Sequence, residues 1–127
     1  MKIMIVDDDK TTRKILGLYL KGKGHEPVFA ENGIDAIEKL ASNEVALIMT
    51  DLNMPYMDGI ELTRQLKSNP SFQSIPILML TTENDDVERK KAVNAGIDAY
   101  MIKPVTADSV SAMIKQMIQI KQQQGDK

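Results

Sequence analysis

Four aspartates, one lysine and two threonines stand where short apolar runs give way to polar residues. Asp7, Asp8 and Asp9 follow the run 3–6, and Asp51 comes just after the run 45–49. Thr81 and Thr82 follow 77–80, and Lys103 follows 100–102. Two or three carboxylates brought into one crevice repel one another, so a cation belongs between them. The chain has no cysteine and a single histidine, His25, so oxygen donors must do any such work. That donor set favours a hard ion such as Mg²⁺, which keeps several waters and takes one or two carboxylates. A carboxylate can also act as a nucleophile and form an acyl phosphate. Phosphoryl transfer is mainly positioning and charge compensation, which a metal, an ammonium and a hydroxyl can supply. Asp51 is the nucleophile candidate, because it stands alone at its run's end, opposite the Asp7/Asp8 cluster.

Convergence of this kind needs a scaffold. The runs 3–6, 45–49, 77–80 and 100–102, with a weaker one at 28–30, read as strands buried on both faces, as in a parallel sheet. Between them lie segments with helical spacing. These carry Ile15, Leu16, Tyr19 and Leu20, then Ile34, Ile37 and Leu40, then Ile60, Leu62 and Leu66, then a polar segment at about 85–94. The last segment places Val110, Met113, Ile114, Met117 and Ile118 on one helical stripe. Gly22 and Gly24 follow the first helix and Gly96 the fourth, where a left-handed cap residue is expected. Asn32-Gly33 marks the turn before the second helix, Asn69-Pro70 a loop after the third, and Thr106 or Asp108 caps the fifth. Strand and helix alternate five times, which implies an α/β fold with a parallel sheet and helices on both faces. Open sheets of this class bind ligands at the carboxyl ends of their strands, where the strand order reverses. Four of the five runs end in residues able to hold a cation or a phosphate.

Composition narrows the alternatives. The 127 residues suit one domain, expected over 1–121, with a short polar, frayed tail at 122–127 and no output domain. The 43% hydrophobic and 27% charged content is that of an ordinary globular protein, long enough to fold without disulfides. A net charge of −2 lacks the basic footprint of a nucleic-acid binder, and 4% aromatics without tryptophan are too sparse for base stacking. The opening residues meet Asp7-Asp8-Asp9 too soon for a signal peptide, and no run approaches a membrane span. A cytoplasmic protein that binds neither nucleic acid nor membrane is expected. The nine methionines read mainly as core filler. Arg89-Lys90-Lys91 reads as a solvated helix face, and His25 as an exposed loop residue.

Four stretches carry a family resemblance: Ile5-Val6-Asp7-Asp8, Thr50-Asp51-Leu52-Asn53-Met54-Pro55-Tyr56-Met57-Asp58-Gly59, Leu80-Thr81-Thr82-Glu83 and Tyr100-Met101-Ile102-Lys103-Pro104. Together they resemble a response-regulator receiver domain, most of all the single-domain, CheY-like chemotaxis type. The separations of 30 residues from Asp51 to Thr81 and 22 from Thr81 to Lys103 match that family. The resemblance implies a flavodoxin-like doubly wound (βα)5 fold with sheet order 2-1-3-4-5. It implies that Asp51 is the phosphoacceptor, and that Mg²⁺ is held by Asp8 directly, by Asp7 largely through water, by Asp51 and by the Asn53 carbonyl. Lys103, before a cis Lys103–Pro104 peptide, would reach the phosphoryl group. Thr81, favoured over Thr82 by spacing, would carry the switching hydroxyl, and Tyr100 would turn inward with it. Asn53 and Glu83 would tune loss of the phosphoryl group to water.

The same resemblance implies a stand-alone, monomeric, Mg-dependent aspartyl-phosphate switch, plausible in chemotaxis and not an enzyme in the usual sense. A sensor histidine kinase would be its phosphodonor. Its downstream protein would bind the face formed by the fourth helix, fifth strand and fifth helix. The alternatives are a phosphotransfer relay intermediate, a receiver-like module that is never phosphorylated, and a small haloacid-dehalogenase-type phosphatase. That phosphatase needs a second aspartate where this chain has Asn53. Val105 and Ile97 depart from the family pattern, which usually has a larger residue and a small one there.

Overall fold

Each apolar run forms a strand: β1 (Lys2–Val6), β2 (Glu26–Ala30), β3 (Leu47–Thr50), β4 (Ile77–Thr81) and β5 (Ala99–Ile102). In the computed structural model, which describes residues 1–82 and 84–125, they pair in parallel in the order β2-β1-β3-β4-β5. The helices are α1 (Lys10–Gly22), α2 (Gly33–Leu40), α3 (Gly59–Lys67), α4 (Asp86–Ala95) and α5 (Ala107–Gly125). The expected doubly wound architecture and strand order are therefore present.

Successive strand residues point to opposite faces, and here both faces are covered. Ile3, Ile5, Met49, Leu78 and Leu80 pack with Leu16 and Leu20 of α1 and Val110, Ile114 and Met117 of α5. Met4, Val6, Ile48 and Ile77 pack with Ala36 and Leu40 of α2 and Leu62 and Leu66 of α3. A smaller cluster of Leu52, Ile60, Met79 and Ala92 joins α3 to α4. Two-sided burial explains why the runs are continuous rather than alternating.

The expectation that every strand is buried on both faces holds only for β1, β3 and β4, which have neighbours on both sides. At the edges, β2 leaves Glu26 and Phe29 exposed and β5 leaves Ile102 exposed. Ile15 and Ile34, expected on inward stripes, are also exposed, at 44% and 52%. His25 is half-buried rather than exposed, and burial lowers its pKa. The polar stretch from 122 to 125 is still helical, as the last turn of α5, and residues 126–127 lie outside the described residues.

The helix starts follow local capping rules. Asp9, Asn32, Asp58 and Asp85 each accept a backbone N–H from the first turn of α1, α2, α3 and α4. For α5 the cap is Thr106, whose hydroxyl accepts the Ser109 N–H at 3.0 Å while Ser109 Oγ accepts the Thr106 N–H. Asp108 instead pairs with Lys23 at the surface. Gly96 ends α4 at φ 113°, the left-handed region that favours glycine. Gly22 closes α1 itself rather than following it.

Candidate functional site

The sheet order reverses between β1 and β3, so the loops leaving those strands open a crevice at their carboxyl ends. The Asp51 N–H donates to the Val6 carbonyl at 2.9 Å, and the Asp7 N–H to the Ala30 carbonyl at 3.1 Å. These bonds extend the ladder one residue and set both aspartates side by side. Carboxylate oxygens of Asp7, Asp8 and Asp51 lie within 4.8 Å of one another.

The three acids differ in environment. Asp7 is 2% exposed. Its Oδ1 accepts the Asp9 N–H at 2.9 Å, and its Oδ2 accepts from Lys103 Nζ at 2.8 Å. Asp8 is exposed. Asp51 is half-buried, and its Oδ1 accepts the Leu52 N–H at 2.8 Å with Lys103 Nζ 3.6 Å away. Burial pushes the Asp51 carboxyl above the ordinary carboxylate pKa; Lys103 opposes that shift, and the Asp7 and Asp8 charges add to it. Three carboxylates thus face one ammonium. The deficit of positive charge, the all-oxygen donors and the open Asp8 side fit a hard divalent cation. Asp8 and Asp51 would be its direct ligands, with Asp7 already engaged by Lys103.

The segment after Asp51 shows why its residue types are needed. At Gly59 a Cβ would meet the Asp51 carbonyl oxygen at 2.3 Å, so only glycine lets α3 start this close to the acid. Gly59 N–H donates to Leu52 O at 2.8 Å, and Asp58 caps α3 through the Glu61 N–H. Tyr56 has φ 70° between Pro55 and Met57, and the Met57 N–H donates to Pro55 O at 2.8 Å, a tight three-residue turn. The turn leaves Tyr56 87% exposed and sends Met57 inward against Gly33. Met54 and Met57 both pack on the core between the sheet, α2 and α3. They fasten the loop.

Thr81 ends β4 fully buried, whereas Thr82 is exposed. Lys103 N–H donates to Thr81 O at 2.8 Å, which brings the lysine backbone to the same edge. The Lys103–Pro104 peptide is cis, as expected. Tyr100 is half-buried on β5, with the Arg89 guanidinium 5.2 Å from its ring centroid. Asn53 is exposed beside the crevice, and Glu83 lies outside the described residues. The fold thus gathers Asp7, Asp8, Asp51 and Lys103 at one edge.

Sequence reasoning missed Arg13, whose Nη1 donates to the Asp7 carbonyl, and the orienting Leu52 N–H. A cation six residues after Asp7, on the first turns of a helix starting there, was the available signal for Arg13.

The family model of the response regulator receiver domain matches residues 3–115. The chain belongs to that family. It is 42% identical over 108 residues to chemotaxis protein CheY1 of Helicobacter pylori, covering 84% of this chain and 87% of the relative. A chemotaxis protein CheY homolog of Campylobacter jejuni is 36% identical over 120 residues, covering 93% and 92%. Among solved structures, a CheY-like response regulator receiver domain protein of Methanospirillum hungatei superposes with a TM-score of 0.89 at 25% identity, covering 97% of each chain. As a receiver domain the chain is a two-component signalling protein. No helix among the described residues is long and apolar enough to cross a membrane.

Proposed function

We propose that this receiver domain is a chemotaxis response regulator, switched by phosphorylation of Asp51. The observation that carries the reading is the Asp7/Asp8/Asp51 cluster facing Lys103 at the carboxyl edge of the sheet. A sensor histidine kinase supplies the phosphoryl group. An Asp51 carboxylate oxygen attacks the phosphorus of the donor's phosphohistidine, the P–N bond breaks and the imidazole leaves. Water later cleaves the acyl phosphate and returns Asp51 and inorganic phosphate. Asp8, Asp51 and the Asn53 carbonyl, with Asp7 behind them, would hold Mg²⁺, which would supply positive charge against the phosphoryl oxygens.

This chain's own groups do the rest. The Leu52 N–H holds the Asp51 carboxylate in one orientation. Lys103 lies between Asp7 and Asp51 and is within reach of a phosphoryl group on Asp51. The Thr81 hydroxyl meets another phosphoryl oxygen, and Tyr100 moves with it. Asn53 and Glu83 govern water's access to the acyl phosphate. The face of α4, β5 and α5 then changes affinity for a downstream protein. It exposes Val87, Val93 and Ile102 beside Arg89, Lys90 and Lys91. The chain acts in the cytoplasm as a monomer. The new charge on Asp51 biases a two-state element.

The test is intact-protein mass spectrometry after incubation with acetyl phosphate and Mg²⁺. Addition of one phosphoryl group, lost with chelator and absent from Asp51→Asn, is expected. An unmodified protein, or modification that survives Asp51→Asn, overturns the reading.

A further inference from the structure

Arg13 lies in the first turn of α1, half-buried, six residues after Asp7 in sequence and against the acidic crevice in space. Its Nη1 donates to the backbone carbonyl of Asp7. That carbonyl lies just past the end of β1. The other groups around it are also held. The Asp7 N–H donates to Ala30 O, and the Asp9 N–H returns to Asp7 Oδ1 at 2.9 Å. Asp9 in turn caps α1 through the Thr12 N–H, and its carbonyl accepts the Arg13 N–H at 3.0 Å. Asp8 sits in the middle of this frame. Its exposed side chain is the member of the carboxylate cluster most open to a metal.

We infer that Arg13 is a positioning residue for the divalent-cation site: by fixing the Asp7–Asp8 peptide plane, it aims the Asp8 carboxylate at Asp51. The inference rests on the receiver reading above, in which Asp8 and Asp51 hold Mg²⁺. Groups that orient ligands from behind matter to metal affinity nearly as much as the ligands themselves. Arg13 is itself a cation near a cation site. Through-space electrostatics therefore predicts that its removal tightens Mg²⁺ binding, whereas a positioning role predicts the opposite. The two accounts differ in sign.

The experiment is calorimetric titration of Mg²⁺ into the full chain, comparing wild type, Arg13→Met, Arg13→Lys and Lys14→Gln. Lys14 is an exposed cation on the same helix and reports the charge effect alone. Arg13→Met is expected to weaken Mg²⁺ binding about tenfold. Arg13→Lys, which keeps a donor and the charge, should recover part of that loss. Lys14→Gln should leave binding unchanged or tighten it about twofold. Thermal melting without Mg²⁺ checks that each variant is folded; if Arg13→Met is not, the Arg13→Lys comparison with wild type still decides. Binding that is unchanged or tighter in Arg13→Met, or in Arg13→Lys where the methionine variant does not fold, overturns the inference while leaving the receiver reading intact. Failure of the wild-type protein to take up Mg²⁺ overturns that reading, and this inference with it.

Discussion

Two lysine–aspartate pairs stand at opposite ends of the sheet and do opposite things. At the amino end, Lys67 Nζ donates to the carbonyls of Gln73 and Ile75 at 3.3 and 3.0 Å and to Asp98 Oδ2 at 3.4 Å. Asp98 Oδ2 also accepts the Ile77 N–H at 2.8 Å. The ammonium meets one carboxylate and two neutral acceptors, so charge there is matched. The arrangement ties α3, β4 and the turn before β5 together. At the carboxyl end, Lys103 Nζ meets Asp7 at 2.8 Å and Asp51 at 3.6 Å, with Asp8 alongside. One ammonium faces three carboxylates. The matched pair is a clamp, whereas the mismatched one is a candidate site, because its excess of carboxylates favours a further cation.

The largest effect should come from Lys103→Met. It leaves Asp7, 3% exposed at its side chain, without its cation, and should destabilise the metal-free protein by about 3 kcal/mol. Added Mg²⁺ should restore most of that loss, and should bind more tightly than to wild type because no ammonium competes for Asp7. Denaturant melts with and without Mg²⁺ check both points. Lys67→Met should cost about 2 kcal/mol, with no recovery on adding Mg²⁺. If Mg²⁺ restored Lys67→Met as well, the distinction between clamp and site would fail.

A smaller change is expected from Asp51→Asn. Because burial raises the pKa of Asp51 in the folded chain, the folded state holds its proton to higher pH than the unfolded state. Ionisation of Asp51 therefore lowers stability as pH rises from the unfolded value of 3.8 through the raised folded value. The cost is complete only above that raised value. Asp51→Asn should raise the metal-free Tm at pH 7 and remove that part of the acid-side pH dependence, measured by melts from pH 3.5 to 7 in chelator. A lower Tm would show that Lys103 outweighs desolvation at this carboxylate. The smallest effect belongs to the exposed Lys23–Asp108 pair, 42% and 92% exposed at its side chains. Asp108→Asn should shift stability by less than about 0.5 kcal/mol in low-salt melts.

Much of this was legible from local patterns. Ile3–Val6 and Ile77–Leu80 read as strands because burial on both faces demands continuous apolar runs. Asn32 and Thr106 announced helix starts because capping involves only neighbouring residues. Ile15 and Ile34 misled because helical spacing defines a face but not what covers it, and theirs is turned to solvent. Thr81 and Thr82 look alike in a list of residues. Thr81 is the last residue of β4, which is buried on both faces, whereas Thr82 lies beyond the strand's end in solvent. Arg13 escaped notice because its partner is a backbone carbonyl, which carries no residue identity.

The sequence by itself determined the chemical groups of this protein and the strand ends on which they stand. Those facts depend on residue type and on periodicities of two and 3.6. It also carried the receiver-family pattern, down to the glycine that α3 needs beside Asp51. Only the tertiary structure decided which groups share charge. The Lys103–Asp7 bond joins residues 96 positions apart, and closing that distance depends on the order of strands in the sheet. The unequal burial of Asp7, Asp8 and Asp51 follows from the same packing, which turns three identical side chains into a shielded anchor, an open ligand candidate and a nucleophile candidate.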